Sequence, residues 1–416
     1  MSTICAGYLQ DRSSPSAIVD PSIMNLRISA NLETVGEPPV ARAQRWIQGR
    51  SFGSEQPLLD LSQAVPGYPP ARELQDHLRE LVGLDATSRY ASSLGLIETR
   101  DAIDRHMTTA FAMPSAIGID RVMVTAGCNQ AFCLAIGALC APGDEVLVPT
   151  PFYFNHDMWL RANGISTVEV VVDAANGMLP SIEALERACT PRTRAVVFVT
   201  PNNPCGIEYP RSLIEAGYAF AKDRGLAFIL DETYKDFRSS DEPSHTLFDH
   251  TDWDTTLVHL FSFSKVFSIP GYRVGSLIAA PPVLAAAMKL ADCQTIGAPR
   301  ISQLAVAFGL DHLDDWVAER RGEMQTRVDA FTTALTTRPG GYELVSAGAF
   351  FAYVRHPFGD ADALDIAPRL ADEQNLLTIP GPCFGSGQSQ YLRVAFGNID
   401  AVAIPEVIDR LIASGR

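Results

Sequence analysis

The chain lacks any long apolar run. The stretch from Gly275 to Met288 is interrupted by Pro281 and Pro282 and is too short to cross a bilayer. No basic stretch leading into an apolar run stands at the N-terminus, so no secretory leader is expected. Eight cysteines are present (Cys5, Cys128, Cys133, Cys140, Cys189, Cys205, Cys293 and Cys383), but no Cys-x-x-Cys pair occurs. That spacing excludes the common zinc and dithiol motifs, and no metal is expected. Scattered cysteines in a chain of this size read as reduced, mostly buried thiols of a cytoplasmic protein. Basic charge is also scarce. Lys and Arg number 33 against 48 Asp and Glu, a formal net charge of -15. Nucleic acid and anionic membrane both reward clustered Lys and Arg, so neither is expected as a partner. No internal repeat and no low-complexity tract is present.

What is there is an ordinary globular mixture, 47% hydrophobic and 19% charged over 416 residues. That length accommodates one large domain and a smaller one. Residues 1 to about 50 are polar and without clear period, which predicts either an arm that packs elsewhere and contributes to the smaller domain, or a partly disordered segment. From Arg121 onward, short, almost continuously apolar runs alternate with helical patterns. The strand-like runs are Arg121 to Thr125, Glu145 to Pro149, Val168 to Val172, Ala195 to Thr200, Leu226 to Leu230, Leu257 to Phe261 and Val274 to Ile278. Helical patterns fall at Asn129 to Cys140, His156 to Asn163, Ser181 to Ala188 and Ser212 to Arg224. This alternation predicts an α/β fold: a large domain, 51–295, whose mostly parallel sheet is sandwiched by helices. After about residue 290 the pattern changes. One long helical stretch, Ile301 to Thr336, is followed by strand-like pieces and two more helices. The expectation is a smaller α+β domain, 296–416.

Lys265 follows the apolar run Leu257 to Phe261 in Ser262-Phe-Ser-Lys265. A lysine delivered to a strand exit is desolvated, and a desolvated amine can act as a nucleophile toward a carbonyl. Arg273 lies eight residues on. With the Ser262 and Ser264 hydroxyls it offers the donors that a phosphate needs. A second phosphate half-site is legible at Thr125-Ala-Gly127-Cys128-Asn129, a strand, a glycine turn and a helix start whose free amides face outward. Asp231 closes the run Leu226 to Leu230, with Tyr234 three residues on. Asn203 sits in a Pro-Asn-Asn-Pro-Cys-Gly turn after the run Ala195 to Thr200. Each of these alone is compatible with plain turn or strand-end chemistry. Together, Asn203, Asp231, Tyr234 and Lys265 share the carboxyl edge of one sheet, where open α/β folds bind ligands.

At these residues the chain resembles the class I/II aminotransferases, fold-type I pyridoxal phosphate enzymes. The likeness runs from about Leu59 to Arg393. It is carried by Tyr90 with Gly95 and Arg100, Thr-Ala-Gly at 125–127, Pro-Phe-Tyr at 151–153, Asn-Pro-Cys-Gly at 203–206, Asp-Glu-Thr-Tyr at 231–234, Ser-Phe-Ser-Lys at 262–265 with Arg273, and Leu-Arg-Val at 392–394. The resemblance implies pyridoxal 5′-phosphate as cofactor, held covalently by Lys265, which then shuttles the substrate's proton. It implies Asp231 on the pyridine nitrogen, Asn203 and Tyr234 on the phenolic oxygen, and Tyr153 against the ring face. Gly127, Cys128, Asn129, Ser262, Ser264 and Arg273 would hold the phosphate. Arg393 would clamp the substrate α-carboxylate, with Asn203 beside it. Tyr90 would reach the phosphate of the partner subunit, which makes a homodimer with shared sites the expected assembly.

The departures are Cys205, where Thr is common, and Ile296 and Gly297, where a Ser or Asn often touches the neighbour's phosphate. The implied reaction is ping-pong transfer of an amino group between an L-amino acid and a 2-oxo acid. The same residues would also serve a β- or γ-eliminating lyase, since the pocket decides the fate of a shared carbanion. A non-enzymatic sensor is the third reading, and no basic helix-turn-helix segment speaks for it. No second arginine for a distal carboxylate is obvious, which leans the donor toward neutral or aromatic amino acids.

Overall fold

The computed structural model describes residues 27–172 and 174–415. Thirteen strands form three sheets among the described residues, in chain order β1 (Leu59–Asp60), β2 (Val122–Thr125), β3 (Glu145–Pro149), β4 (Ser166–Val170), β5 (Thr193–Val199), β6 (Ala227–Asp231), β7 (Leu257–Ser262), β8 (Gly275–Ile278), β9 (Glu343–Gly348), β10 (Phe351–Arg355), β11 (Leu376–Leu377), β12 (Ile379–Pro380) and β13 (Tyr391–Ala395). The largest sheet has seven strands in the order β2-β8-β7-β6-β5-β3-β4. Only β8 runs against its neighbours, so the sheet is mostly parallel, as expected.

Both faces of this sheet are buried, which explains the near-continuous apolar runs. Within β5, Val196 and Phe198 join the core shared with the helices Arg72–Val82, Ile97–Ala110, Arg211–Asp223 and Arg300–His312. Ala195, Val197 and Val199 point the other way, toward the helices Cys128–Leu139 and Pro281–Thr295. A four-stranded antiparallel sheet, β12-β13-β10-β9, packs with the helices Asp314–Thr337 and Ile404–Ser414 around a second core containing Phe331, Phe350, Phe351 and Phe396. The expected α+β portion is therefore present in this later part of the chain. Among the described residues no helix is long and apolar enough to cross a membrane.

Two readings need correction. The stretch Ile301 to Thr336 is not one helix but two, Arg300–His312 and Asp314–Thr337. The break falls at Leu313 (φ -116°, ψ 20°), a residue with no helix-breaking chemistry. Its side chain is buried in the main core, so tertiary packing turns the chain here. Within the segment read as lacking period, Pro39–Trp46 is helical, opened by proline at its first position and burying Ala43. The expectation for residues 1–26 lies outside the described residues.

The short parallel pair β1–β11 carries the segment after Leu59 into the space between the two cores. Leu61 accepts from Ala395 and donates to Leu377, so residues 61–65 run along the end of β13. On the opposite side, the Asn202–Gly206 turn docks onto β9: Ser346 Oγ donates to the Cys205 carbonyl at 2.8 Å. Gly206 has φ +72°, and a Cβ there would fall 2.6 Å from the Gly348 amide nitrogen. Both the left-handed backbone and the close approach demand glycine. Gly206→Ala is expected to lower unfolding free energy by about 1–3 kcal/mol, read as a fall in denaturant midpoint at unchanged m-value.

Candidate active site

The strand exits deliver their residues to one cavity of about 480 Å³. Its walls include Cys128, Asn129, Tyr153, Asn203, Asp231, Tyr234, Ser262, Ser264, Lys265, Arg273 and Arg393, almost every residue singled out in the sequence. The shared edge follows from parallel β5, β6 and β7, whose carboxyl ends all lie on one side.

Lys265 enters from a one-turn helix, Phe263–Val266, capped by Ser262, whose Oγ accepts from the Ser264 amide. Its Nζ donates to the Ala64 carbonyl at 2.5 Å. Burial, reinforced by the Arg273 and Arg393 guanidinium groups, pushes the Lys265 amine down to about 8 from its usual 10.5. Only four lysines occur in the chain. Lys222 and Lys289 are exposed. Lys235 is buried elsewhere against Asp236 and His106. Lys265 is thus the one lysine that lines the cavity.

Gly127 (φ +85°) turns β2 into the helix Cys128–Leu139. The amides of Cys128 and Asn129 have no acceptor within that helix and form its positive end. A Cβ on Gly127 would collide with the Arg273 guanidinium, so the glycine lets Arg273 close over the turn. Arg273 itself adopts the left-handed region (φ 55°, ψ 65°), uncommon for a side chain of this size. Its Nη1 lies 3.5 Å from Ser264 Oγ. Two amides, two hydroxyls and a guanidinium therefore converge as a set of donors suited to a phosphate ester.

Asp231 ends β6 fully inside the protein. Burial opposes its ionisation, but His156 and Thr233 outweigh that and hold its carboxyl below the usual range. Thr233 donates to Asp231 Oδ1 twice, from its amide at 3.0 Å and from Oγ1 at 2.7 Å. His156 Nε2 stands 3.5 Å from Oδ2, its ring stacked on Phe132 at 4.0 Å. Tyr234 and Tyr153 are both raised by burial and stay protonated. The Tyr153 hydroxyl accepts from Asn155 Nδ2 at 3.0 Å.

Arg393, in β13, is 2% exposed and has no carboxylate within ion-pair distance among the described residues. Its guanidinium donates to Asn203 Oδ1 at 3.0 Å and to the Ser62 carbonyl, and it lies over the rings of Phe384 and Phe351. Burial lowers it to about 10, which leaves it cationic. Such a group lacks an anion.

One residue from the sequence reading stands apart. Tyr90 is 79% exposed and outside the cavity, on the surface beside Arg300, whose Nη1 approaches the Tyr90 carbonyl at 3.4 Å. The reading missed His156, Thr233, Asn155, and the wall formed by Pro38, Val40, Gln63, Ala64 and Val65. Thr233 had a legible signal, since a Thr two residues after Asp favours an Asx turn. The 62–65 segment acts through main-chain carbonyls, which leave no trace in residue type.

Comparison with known proteins bears on this geometry. The family described as "Aminotransferase class I and II" matches residues 57–411. The aromatic aminotransferase ISS1 of Arabidopsis thaliana is 31% identical over 363 residues, 85% of this chain and 88% of that protein. An aspartate aminotransferase of Streptomyces avermitilis is 28% identical over 400 residues, 94% of this chain and 97% of that protein. In fold, the chain superposes on an aspartate aminotransferase from Thermus thermophilus solved with maleate, TM-score 0.84 at 22% identity, over 94% of this chain and 100% of the other. The matched family is one of amino-group transfer, which decides against the eliminating lyase. The chain belongs to the class I and II aminotransferases.

Proposed function

We propose that this aminotransferase binds pyridoxal 5′-phosphate through Lys265 and takes L-amino acid donors with uncharged side chains. The observation that carries the reading is that Lys265 and Arg393 line one cavity with no carboxylate to neutralise either. An amine with a lowered pKa condenses with a carbonyl, and a buried fork without an anion receives a carboxylate.

The residues present fit the cofactor. The Gly127 turn, the Cys128 and Asn129 amides, Ser262, Ser264 and Arg273 would hold the phosphate. Asp231, kept ionised by Thr233 and His156, would hold a protonated pyridine nitrogen. Asn203 and Tyr234 would donate to the phenolic oxygen, and Tyr153 would lie against the ring. When bound, the cofactor supplies a carbonyl for the donor's amine and an electron-withdrawing ring that acidifies the donor's Cα. Lys265 Nζ, its pKa lowered to about 8 and so readily neutral, would take the proton from the donor's Cα and deliver it to the cofactor's C4′. Arg393 would orient the donor through its α-carboxylate, leaving the side chain against Pro38, Val40, Val65 and Phe154. Gln63 and Asn155 are the polar members of that wall, and neither carries charge. This supports uncharged donors, since an unpaired buried carboxylate is costly.

The assembly proposed is a C2 homodimer in which Tyr90 reaches the partner's phosphate. Tyr90, Ile97 and Ile296 are large apolar side chains left exposed on one chain, as at a surface that another subunit covers. The seven free cysteines among the described residues suit a cytoplasmic setting.

Three outcomes are expected. Borohydride treatment of the holoenzyme should fix the cofactor to the Lys265 peptide, and the apoenzyme's rate of reconstitution should climb through pH about 8 and then level. Labelling at Lys222, Lys235 or Lys289, or a rate still climbing toward pH 10.5, would count against the assignment. Arg393→Ala should lower kcat/KM for every donor and acceptor by about 10²-fold or more, with Arg393→Lys recovering only part because the fork is lost. A loss confined to one substrate would move Arg393 to the side-chain pocket. Co-expressed Tyr90→Ala and Lys265→Ala chains, each impaired alone, should regain activity as mixed dimers. Absence of complementation would put Tyr90 in its own chain's site.

A further inference from the structure

Behind Asp231 lies a buried polar cluster that the chemistry proposed above does not use. Asp231 and Glu232 are consecutive at the exit of β6, so their side chains leave opposite faces of the sheet. Asp231 faces the cavity, and Glu232 is fully buried on the other side. The peptide that joins them is clamped from both neighbouring strands: Thr200 donates to the Asp231 carbonyl at 3.0 Å, and the Glu232 amide donates to Leu260 at 2.9 Å.

The Glu232 carboxylate meets three donors. Ser244 Oγ lies 2.6 Å from Oε1, while His259 Nε2 and His245 Nε2 lie 2.9 and 3.2 Å from Oε2. The Leu247 amide donates to His245 Nδ1 at 3.2 Å, so the ring's Nε2 carries the proton that faces Glu232. Burial opposes ionisation of Glu232, yet the two imidazoles outweigh it and hold the carboxyl well below its usual range. The rings are wedged by Phe111, stacked on His245 at 4.5 Å and edge-on to His259 at 6.0 Å. His259 belongs to β7, the strand that leads to Ser262 and Lys265. Ser244 and His245 come from the loop beyond Tyr234. That loop and β7 are thereby pinned to one carboxylate.

We propose that Glu232 is a positioning residue for Asp231: anchored from behind by Ser244, His245 and His259, it fixes the strand exit so that Thr233 holds the Asp231 carboxylate toward the cofactor's ring nitrogen. This rests on the role proposed for Asp231. Thr233 is the next residue along, and its amide and hydroxyl set the Asp231 rotamer, so a tilt of the peptide after Glu232 moves both donors at once. An amide at position 232 keeps the volume but turns N–H groups toward donors, and the anchorage is lost.

The test is a double-mutant cycle on the holoenzyme with Glu232→Gln, Asp231→Asn and the pair. It reads kcat, KM, the dissociation constant for pyridoxal 5′-phosphate, and the unfolding midpoint. Glu232→Gln should lower kcat about tenfold and weaken cofactor retention about tenfold with KM little changed. In the Asp231→Asn background the same substitution should change kcat and retention by less than about twofold, because its target is already gone. Effects that multiply in the pair would show a general structural role and overturn the proposal, as would unchanged kcat and retention in Glu232→Gln. Full turnover and retention in Asp231→Asn would overturn the Asp231 role itself, and this inference with it. Should Glu232→Gln fail to fold, Ser244→Ala removes a single donor and enters the same cycle. It is expected to show a smaller loss of the same non-multiplying kind, and multiplying or absent effects there would again overturn the proposal.

Discussion

Keeping three cationic side chains, Lys265, Arg273 and Arg393, in one cavity with none of them ion-paired among the described residues is the constraint around which the rest of this structure is arranged. A buried guanidinium ordinarily recruits a carboxylate, and a buried ammonium gives up its proton. Here Arg393 is held by acceptors that orient it without cancelling its charge: Asn203 Oδ1, the Ser62 carbonyl and two aromatic faces. Lys265 is treated the same way, with the Ala64 carbonyl as its acceptor. A glutamate at either place would make a more comfortable protein and an occupied anion site. The fold accepts unpaired charge at this cavity, whose one acidic side chain among the described residues, Asp231, is paired with none of the three.

Asp231 shows the opposite treatment. Its charge is surrounded by donors, from Thr233 on one side and His156 on the other, so that ionisation survives complete burial. The difference arises from position. Asp231 ends a central strand of a sheet covered on both faces, where the protein supplies donors to both of its oxygens. Arg393 and Lys265 face the space between the two hydrophobic cores, where a ligand can supply what is missing.

The sheet and the cavity wall were legible because their causes are local. A strand buried on both faces must be apolar throughout, so the first polar residue after it marks an exit. Asp231 was found this way, Lys265 and Asn203 lie within a few residues of such exits, and their convergence followed from parallel strands. The pieces that escaped have non-local causes. Leu313 breaks a helix through core packing and carries no breaker signature. Residues 62–65 contribute main-chain carbonyls, which any residue type provides. His156 sits on a helix, where a lone histidine is ambiguous until its distance to Asp231 is known. Tyr90 was singled out by resemblance, and on the single chain it faces solvent.

The pairing of β1 with β11 brings Leu59 beside Leu376, and from it the chain passes directly to Ser62 and Ala64 at the arginine and the lysine. Residues 331 positions apart in the chain thus have to meet before the Arg393 guanidinium acquires the Ser62 carbonyl. The seven-stranded sheet needs none of these contacts, since all its strands lie between Val122 and Ile278. Closing so long a loop is slow, and its entropy is repaid only by late contacts. Until β13 has paired, a folded sheet therefore carries Lys265 in a cavity whose opposite wall is still missing.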